Sequence, residues 1–324
     1  MATESLPEEL EDILRKHKEK LDAIVNSFTK KIVSEFVPSR IYHYTNDCGL
    51  RGILKTGRLW FTDIFKFNDP SELNHGIEQA SRILERKTKE GPKEAKFFSE
   101  MFSKAIVAHI KESAHYLVCC FSTDRDDLGQ WRAYADDGRG YAIGFDAGIL
   151  EEAFAKSEPP GTPAFRTFRI TYNDNELSEI NEKLVAVTIP IVSTPATIIM
   201  TEKEAKLFII RLGSQLATRS VEASLYFKNE AYKYEVEYRF LQIFQFDAPF
   251  TDFEIRFQPY SLIRYREFDW KSTVPDSIRE IVVGPASDPM IGCKFASDCR
   301  RLYLPDAENI SIEQSRIPYR SVQK

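Results

Sequence analysis

Glu235 and Glu237 stand two residues apart in KYEVEYRF, with Arg239 two further on. On an extended strand that spacing puts all three on one face and Tyr234, Val236, Tyr238 and Phe240 on the other. Two carboxylates about 7 Å apart beside a guanidinium form either a solvated ladder of charges or an acid cluster in a cleft. The pattern alone leaves both open. His43 and Thr45, in IYHYT, also share one side of an extended chain. A neutral imidazole and a hydroxyl so placed can donate to and accept from a ribose diol. They serve equally as a core histidine followed by a threonine that caps the next helix.

Two further stretches carry polar groups at strand or turn ends. Ser122 and Thr123 close the apolar run YLVCCFST, where a buried strand emerges and its hydroxyls face whatever borders the sheet. Trp131, Arg132 and Tyr134 follow on a short helix, the two rings at the spacing of core anchors. In FNDPSE, Asn68 and Asp69 precede Pro70, a turn that closes on its own side-chain hydrogen bonds. That turn is mainly structural, with Asn68 or Asp69 a candidate ligand to a bound nucleotide.

Several common devices are absent from the sequence. It has no G-x-G-x-x-G after a strand, no P-loop, no H-E-x-x-H and no G-x-S-x-G. No cluster of residues has metal-ligand spacing, so no metal is expected. The five cysteines include no C-x-x-C pair and their number is odd, which reads as reduced thiols in a cytoplasmic protein. No apolar run nears the roughly 18 residues of a membrane span, and the first twenty residues carry both charge signs without an apolar leader. A cytoplasmic protein without membrane contact is the expectation. A net charge of -5 argues against a dedicated nucleic-acid binder, though not against a nucleic acid as transient substrate. The 23 Phe and 14 Tyr predict a core built largely of rings.

The elements that must position these groups follow from periodicity and punctuation. Residues 6 to 36 read as an amphipathic helix ended by Pro38. A strand at 40–44 leads through Thr45, Asn46 or Asp47, any of which can cap the next helix, to a left-handed stop at Gly57. Strands are expected at 58–63, 116–123, 140–145, 165–172, 231–246, 253–257 and 279–284. Helices are expected at 76–112 with a break at EGPKE, 147–156, 174–186, 201–228 and 287–301. The order lacks a regular β-α-β rhythm, so the fold class is α+β. Residues 1–39 are taken as a helical N-terminal extension and 40–324 as one domain with helical insertions.

Five stretches in this order, YHYT with LRGILKTGRLWFTD, FNDPSE, CFST with QWRAYADDGRGYAIGFD, YKYEVEYRF and IVVGP, resemble a widespread bacterial family of unknown function. That resemblance spans roughly residues 41 to 285. A more distant one is to the ADP-ribosyltransferase superfamily, through its motif order of H-x-T, a strand ending in Ser, and E-x-E. It implies a split pair of small sheets gripping NAD, the substrate, in the cleft between them. By motif position His43 with Thr45 would hold the adenosine side of NAD and Ser122 the nicotinamide end. Glu237 would bind the 2'-hydroxyl of the nicotinamide ribose, and Glu235 would orient the acceptor. The aromatic that stacks on nicotinamide stays open among Tyr44, Trp60 and Phe61.

The resemblance therefore implies an NAD-dependent ADP-ribosyltransferase acting on RNA or DNA, as a toxin or phage-defence effector. Arg51, Arg58, Arg125, Arg132 and Arg139 are the basic residues that would meet phosphates. The rivals are an NAD glycohydrolase and a non-catalytic nucleotide-binding module, with the N-terminal helix docking a regulatory partner. A 2'-phosphotransferase would require several arginines aimed at one phosphate, and no such set is identifiable.

Overall fold

The computed structural model describes residues 6–35, 38–66, 72–103, 114–157, 164–192, 201–245, 253–258 and 261–321. In chain order the elements are α1 (Glu8–Glu35), β1 (Arg40–Thr45), α2 (Asp47–Thr56), β2 (Arg58–Asp63), α3 (Glu72–Thr88), α4 (Lys93–Met101) and β3 (Ala114–Ser122). Then come α5 (Leu128–Tyr134), β4 (Tyr141–Asp146), α6 (Ala147–Lys156), β5 (Ala164–Arg169), α7 (Asp174–Val192) and α8 (Glu202–Ser224). The chain closes with β6 (Glu237–Gln245), β7 (Glu254–Gln258), β8 (Ser261–Asp269), β9 (Ile278–Val283), α9 (Pro289–Tyr303) and β10 (Ser311–Gln314). The fold is α+β. No helix among the described residues is long and apolar enough to cross a membrane.

The chain divides into a helical unit (1–34, 67–114 and 171–230) and a sheet unit (35–66, 115–170 and 231–324). α1 belongs to the core of the helical unit. Leu10, Leu14, His17, Leu21 and Val25 recur at helical spacing and are all buried. Glu11 and Asp22 of α1 pair with Arg211 and Arg219 of α8. Phe28 stacks on Phe227 at 5.2 Å. α8 begins with a capping box, in which Thr201 and Glu204 satisfy each other's backbone amides.

Among the described residues ten strands form the sheet, in the order β10-β9-β4-β1-β3-β2-β8-β7, with β6 branching from β3 and β5 paired to β6. The pleat sorts the rings. Ile41, Phe61, Phe121, Ile143, Phe145 and Phe240 share one apolar core with Leu54 of α2 and Phe154 of α6. Phe154 anchors it, with Phe61 stacked at 5.1 Å and Phe240 at 5.0 Å. Such ring pairs add roughly 0.5–1.5 kcal/mol each beyond the area they bury. Tyr42, Tyr44, Ala142 and Val282 alternate with these residues and form a second, smaller core with Trp131 and Ala135.

The helix signals around α2 hold as expected. Asn46 is the cap, its side chain accepting from Gly49 N, and Gly57 ends the helix at φ 69°. The strand expected over 231–246 does not form as one piece. Glu230–Glu235 is a 3-10 turn, Val236 takes φ 39°, and β6 starts only at Glu237. β8 and β10, which sequence periodicity does not foresee, complete the sheet. β8 is crowded with charge, and β10 has only four residues.

His17 tests the helical core. Its Nε2–H donates to Thr188 Oγ1 at 2.9 Å, since the Thr188 hydroxyl already donates to the Leu184 carbonyl. Nδ1 meets the Gln215 side-chain amide at 2.7 Å. Burial lowers the pKa of His17 from its ordinary 6.5. Below 6.5 the unfolded chain therefore binds more protons than the folded one, so stability present above that pH is lost as pH falls through the depressed native value. Thermal unfolding should show the melting temperature dropping between about pH 7 and pH 5. His17→Gln should flatten that limb, and an unchanged limb in this variant would assign the acid sensitivity to other groups.

Candidate functional site

The end of β3 and the turn before β6 build a compact polar site within the sheet unit. Ser122 Oγ donates to the Glu235 carbonyl at 2.8 Å. Gln130 Nε2 donates to the same carbonyl at 3.3 Å. Thr123 gives the Val236 carbonyl both its backbone N–H, at 3.1 Å, and its hydroxyl, at 3.2 Å. Two consecutive carbonyls thus receive four donors. That clasp keeps the chain out of a continuous strand and holds β-branched Val236 in the left-handed region, at a strain of about 1–3 kcal/mol.

The two glutamates consequently part company. Glu235 lies on the turn, half-buried, with Tyr134 Oη donating to its carboxylate at 2.8 Å. Glu237 is buried and accepts from Arg239 Nε at 2.8 Å, with Nη2 at 2.7 Å, while Arg239 is fully enclosed. Glu237 and Arg239 are on one strand face, as their spacing requires. Glu235 is not part of that strand, so the shared face expected for all three is corrected: the turn at Val236 removes it. The Glu237–Arg239 pair is not a solvated ladder, because neither side chain is open to water.

The other candidates separate by face. His43 is on β1 opposite Ile143, and its ring stands edge-on to Phe121 at 5.7 Å. A carbonyl can only accept, so Nδ1–H donates to Cys120 O at 3.1 Å and Nε2 keeps its lone pair. Burial lowers its pKa from 6.5, which keeps the ring neutral at pH 7. Ser122 faces Tyr42 across the β1–β3 ladder, so it shares the side of Tyr42, not that of His43 and Phe121. His43 and Ser122 are therefore not brought together. Thr45 packs against the first turn of α2, where a Cβ on Gly49 would lie 1.8 Å from its Oγ1.

Of the three aromatic candidates, only Trp60 has substantial exposed ring surface. Its Nε1 donates to Glu267 at 3.2 Å, and Tyr265 lies 4.6 Å from it, centroid to centroid. Phe61 is a core ring. Tyr44 packs edge-on to Trp131 at 4.8 Å, donates to the Asp124 carbonyl at 3.0 Å and accepts from Asp127 N at 3.2 Å. Its hydroxyl is engaged in holding a loop. Asn68 falls outside the described residues.

Sequence reasoning missed the groups that hold this site in place. Asp126, to which sequence reasoning assigns no role, accepts from Trp131 Nε1 at 2.7 Å, Ser315 Oγ at 2.6 Å and Arg316 N at 2.9 Å. Its two oxygens thereby tie α5 to the C-terminal segment. Four of the arginines expected to meet phosphates face carboxylates instead: Arg58 with Glu267, Arg125 with Glu280 and Glu313, Arg139 with Asp136, and Arg132 at 3.7 Å from Asp137. No group of three or more potential metal ligands occurs among the described residues.

Residues 130–240 match the model of a family described as a protein of unknown function (DUF2971), a narrower stretch than the resemblance that begins at residue 41. The match runs from Gln130 through Trp131, Tyr134, Glu235 and Glu237 to Phe240, and so contains the turn but not Ser122. No curated protein and no solved structure matches the chain.

The enclosed Arg239 makes Glu237 testable as a structural carboxylate. Glu237→Gln removes the charge beside a buried guanidinium and should destabilise the protein by on the order of 3 kcal/mol. Urea unfolding measures this directly. A loss below about 1 kcal/mol, the size of a surface pair, would mean that Glu237 is not needed to balance Arg239.

Proposed function

We propose that this chain is an NAD-using ADP-ribosyltransferase that expels nicotinamide, with Glu235 as the carboxylate that meets the substrate and a nucleic acid as acceptor. One observation carries the reading. The Ser-ending strand and the E-x-E segment, more than a hundred residues apart, are joined by the hydrogen bond from Ser122 to the Glu235 carbonyl. Those are two of the three motifs on which the superfamily resemblance rests; the third, His43 with Thr45, is not joined to them.

The chemistry asks for a charge that reaches the ribose. Breaking the nicotinamide bond moves its electron pair onto the leaving nitrogen and builds oxocarbenium character at the sugar. A carboxylate that accepts from the 2'-hydroxyl stabilises that charge as it develops. Glu235 suits this role because its side chain is partly open, while the phenol of Tyr134 fixes its direction. Ser122, whose hydroxyl is engaged with the Glu235 carbonyl, acts as a positioning residue. His43 has no part in this arrangement, and Trp60 is the aromatic with a face to offer. Exposed Tyr234, with Lys233 Nζ 5.6 Å from its ring centre, precedes Glu235 and suits a stacked base with a nearby phosphate.

A non-catalytic binding module is the second reading, favoured by the pairing of Glu237 with Arg239. The readings differ in one assay. Full-length protein with NAD, alone and with single-stranded RNA or DNA, should release nicotinamide. Glu235→Gln should lower the rate about 10²-fold or more with an unchanged unfolding midpoint. Wild-type turnover in this variant would defeat the assignment of Glu235. Saturable NAD binding with no release by the wild-type protein would establish the binding module instead.

A further inference from the structure

β7 is the last strand in the sheet order, and among the described residues no strand pairs with its outer edge. Its exposed apolar residues line one face. Phe257 is 86% exposed and Ile255 44%, and Leu262 of β8, directly opposite Phe257, is 57% exposed. These three project to one face of the β7–β8 hairpin, because Ile255 and Phe257 are two apart and cross-strand partners point the same way. A free edge beside an exposed apolar strip is a template for another strand, and proteins ordinarily blunt such edges with charge or cover.

The charges on β7 select the occupant. Glu254 and Arg256 flank Ile255 on the opposite face, where the Arg256 guanidinium lies 5.7 Å from the Trp60 ring centre and Nη2 reaches Thr62 Oγ1 at 3.4 Å. If two copies of β7 pair antiparallel about Ile255, Glu254 of each stands opposite Arg256 of the other. Phe257 of each then stands opposite Phe253. A register centred on Arg256 would instead oppose two guanidiniums. Glu254-Ile255-Arg256 is thus self-complementary in one antiparallel register, as an isologous two-fold interface requires.

We infer that β7 is a self-association edge through which two copies of this chain form one continuous antiparallel sheet centred on Ile255. The two-fold axis is perpendicular to the sheet, so the Ile255, Phe257 and Leu262 strips of both copies fall on the same face and merge. The Glu254–Arg256 pairs form on the other face, twice. This inference does not depend on the proposed enzymatic activity.

Sedimentation equilibrium of the full chain tests it by charge exchange. Wild-type protein should be a reversible dimer. Glu254→Lys and Arg256→Glu should each raise the dimer dissociation constant about tenfold or more, because each puts like charges opposite one another twice. An equimolar mixture of the two variants should recover the wild-type constant. In the mixed dimer the introduced lysine of one variant meets the introduced glutamate of the other, and the retained Arg256 meets the retained Glu254. This mixing arm separates interface charge from local damage at the Trp60 contact. Phe257→Ser should weaken the dimer without restoration on mixing. A wild-type monomer at high micromolar concentration would overturn the inference. So would a dimer insensitive to both charge reversals, or a mixture that stays monomeric.

Discussion

Two neighbouring carbonyls, those of Glu235 and Val236, determine how the rest of the sheet unit is arranged around its polar site. The hydroxyl of Ser122, the amide of Gln130 and both donors of Thr123 converge on them. A regular strand would direct successive carbonyls to opposite edges. Here both are drawn toward the end of β3, which forces the left-handed turn at Val236. Everything after the turn enters the sheet as β6, and everything before it lies outside. Tyr238 and Phe240 join the ring core. Glu235 is left at the mouth of the turn while Glu237 is carried inward. Net hydrogen bonds of about 0.5–1.5 kcal/mol each, four together, offset the strain of one left-handed valine.

The same turn depends on groups from distant parts of the chain. Gln130 and Tyr134 come from α5, and α5 is held through Trp131 by Asp126. Asp126 also binds Ser315 and the Arg316 amide. Asp137, just beyond α5, accepts from Tyr319 at 2.7 Å and Ser321 at 2.6 Å. The orientation of one half-buried glutamate therefore depends on the C-terminal segment from Ser315 to Ser321. A second polar node lies on the same side of the sheet as Tyr42. Buried Glu280 accepts from Tyr42 Oη at 2.9 Å and from Arg125 Nε at 2.7 Å, and also pairs with Arg40. Burial, with that carboxylate beside it, pushes the Tyr42 phenol up to about 12. Gly144 makes room for this node, because a Cβ there would fall 2.8 Å from the Glu280 side chain.

Local punctuation was legible in the sequence, and convergence was not. Asn46 and Gly57 bound α2 because a cap and a left-handed stop are properties of single residues in a short window. The apolar run ending at Ser122 formed a buried strand for the same reason. Alternation in KYEVEYRF also predicted a strand, and half of it is one. The other half yields to hydrogen bonds from Ser122 and Thr123, which no periodicity within the segment encodes. Histidine and serine motifs carry no record of which sheet face they occupy, so His43 and Ser122 could be grouped in sequence yet lie on opposite sides. β8 escaped notice because Arg264, Arg266 and Glu267 interrupt its apolar alternation, although register with β2 places Phe268 in the core.

The separation of Glu235 from Glu237 has an electrostatic consequence that identity and spacing hide. A carboxylate held against a guanidinium presents, as a pair, nearly zero net charge, and its influence beyond a few ångströms is that of a dipole. Glu237, enclosed with Arg239, is such a group. Burial strengthens the interaction within that pair, which suits a carboxylate that fixes a strand end. Glu235, oriented by Tyr134, is half-buried. Water screens its Coulomb energy until a ligand displaces it. In the transfer proposed above, closure of the substrate over Glu235 would lower the local dielectric as positive charge develops, and the carboxylate would act more strongly there than in the free protein.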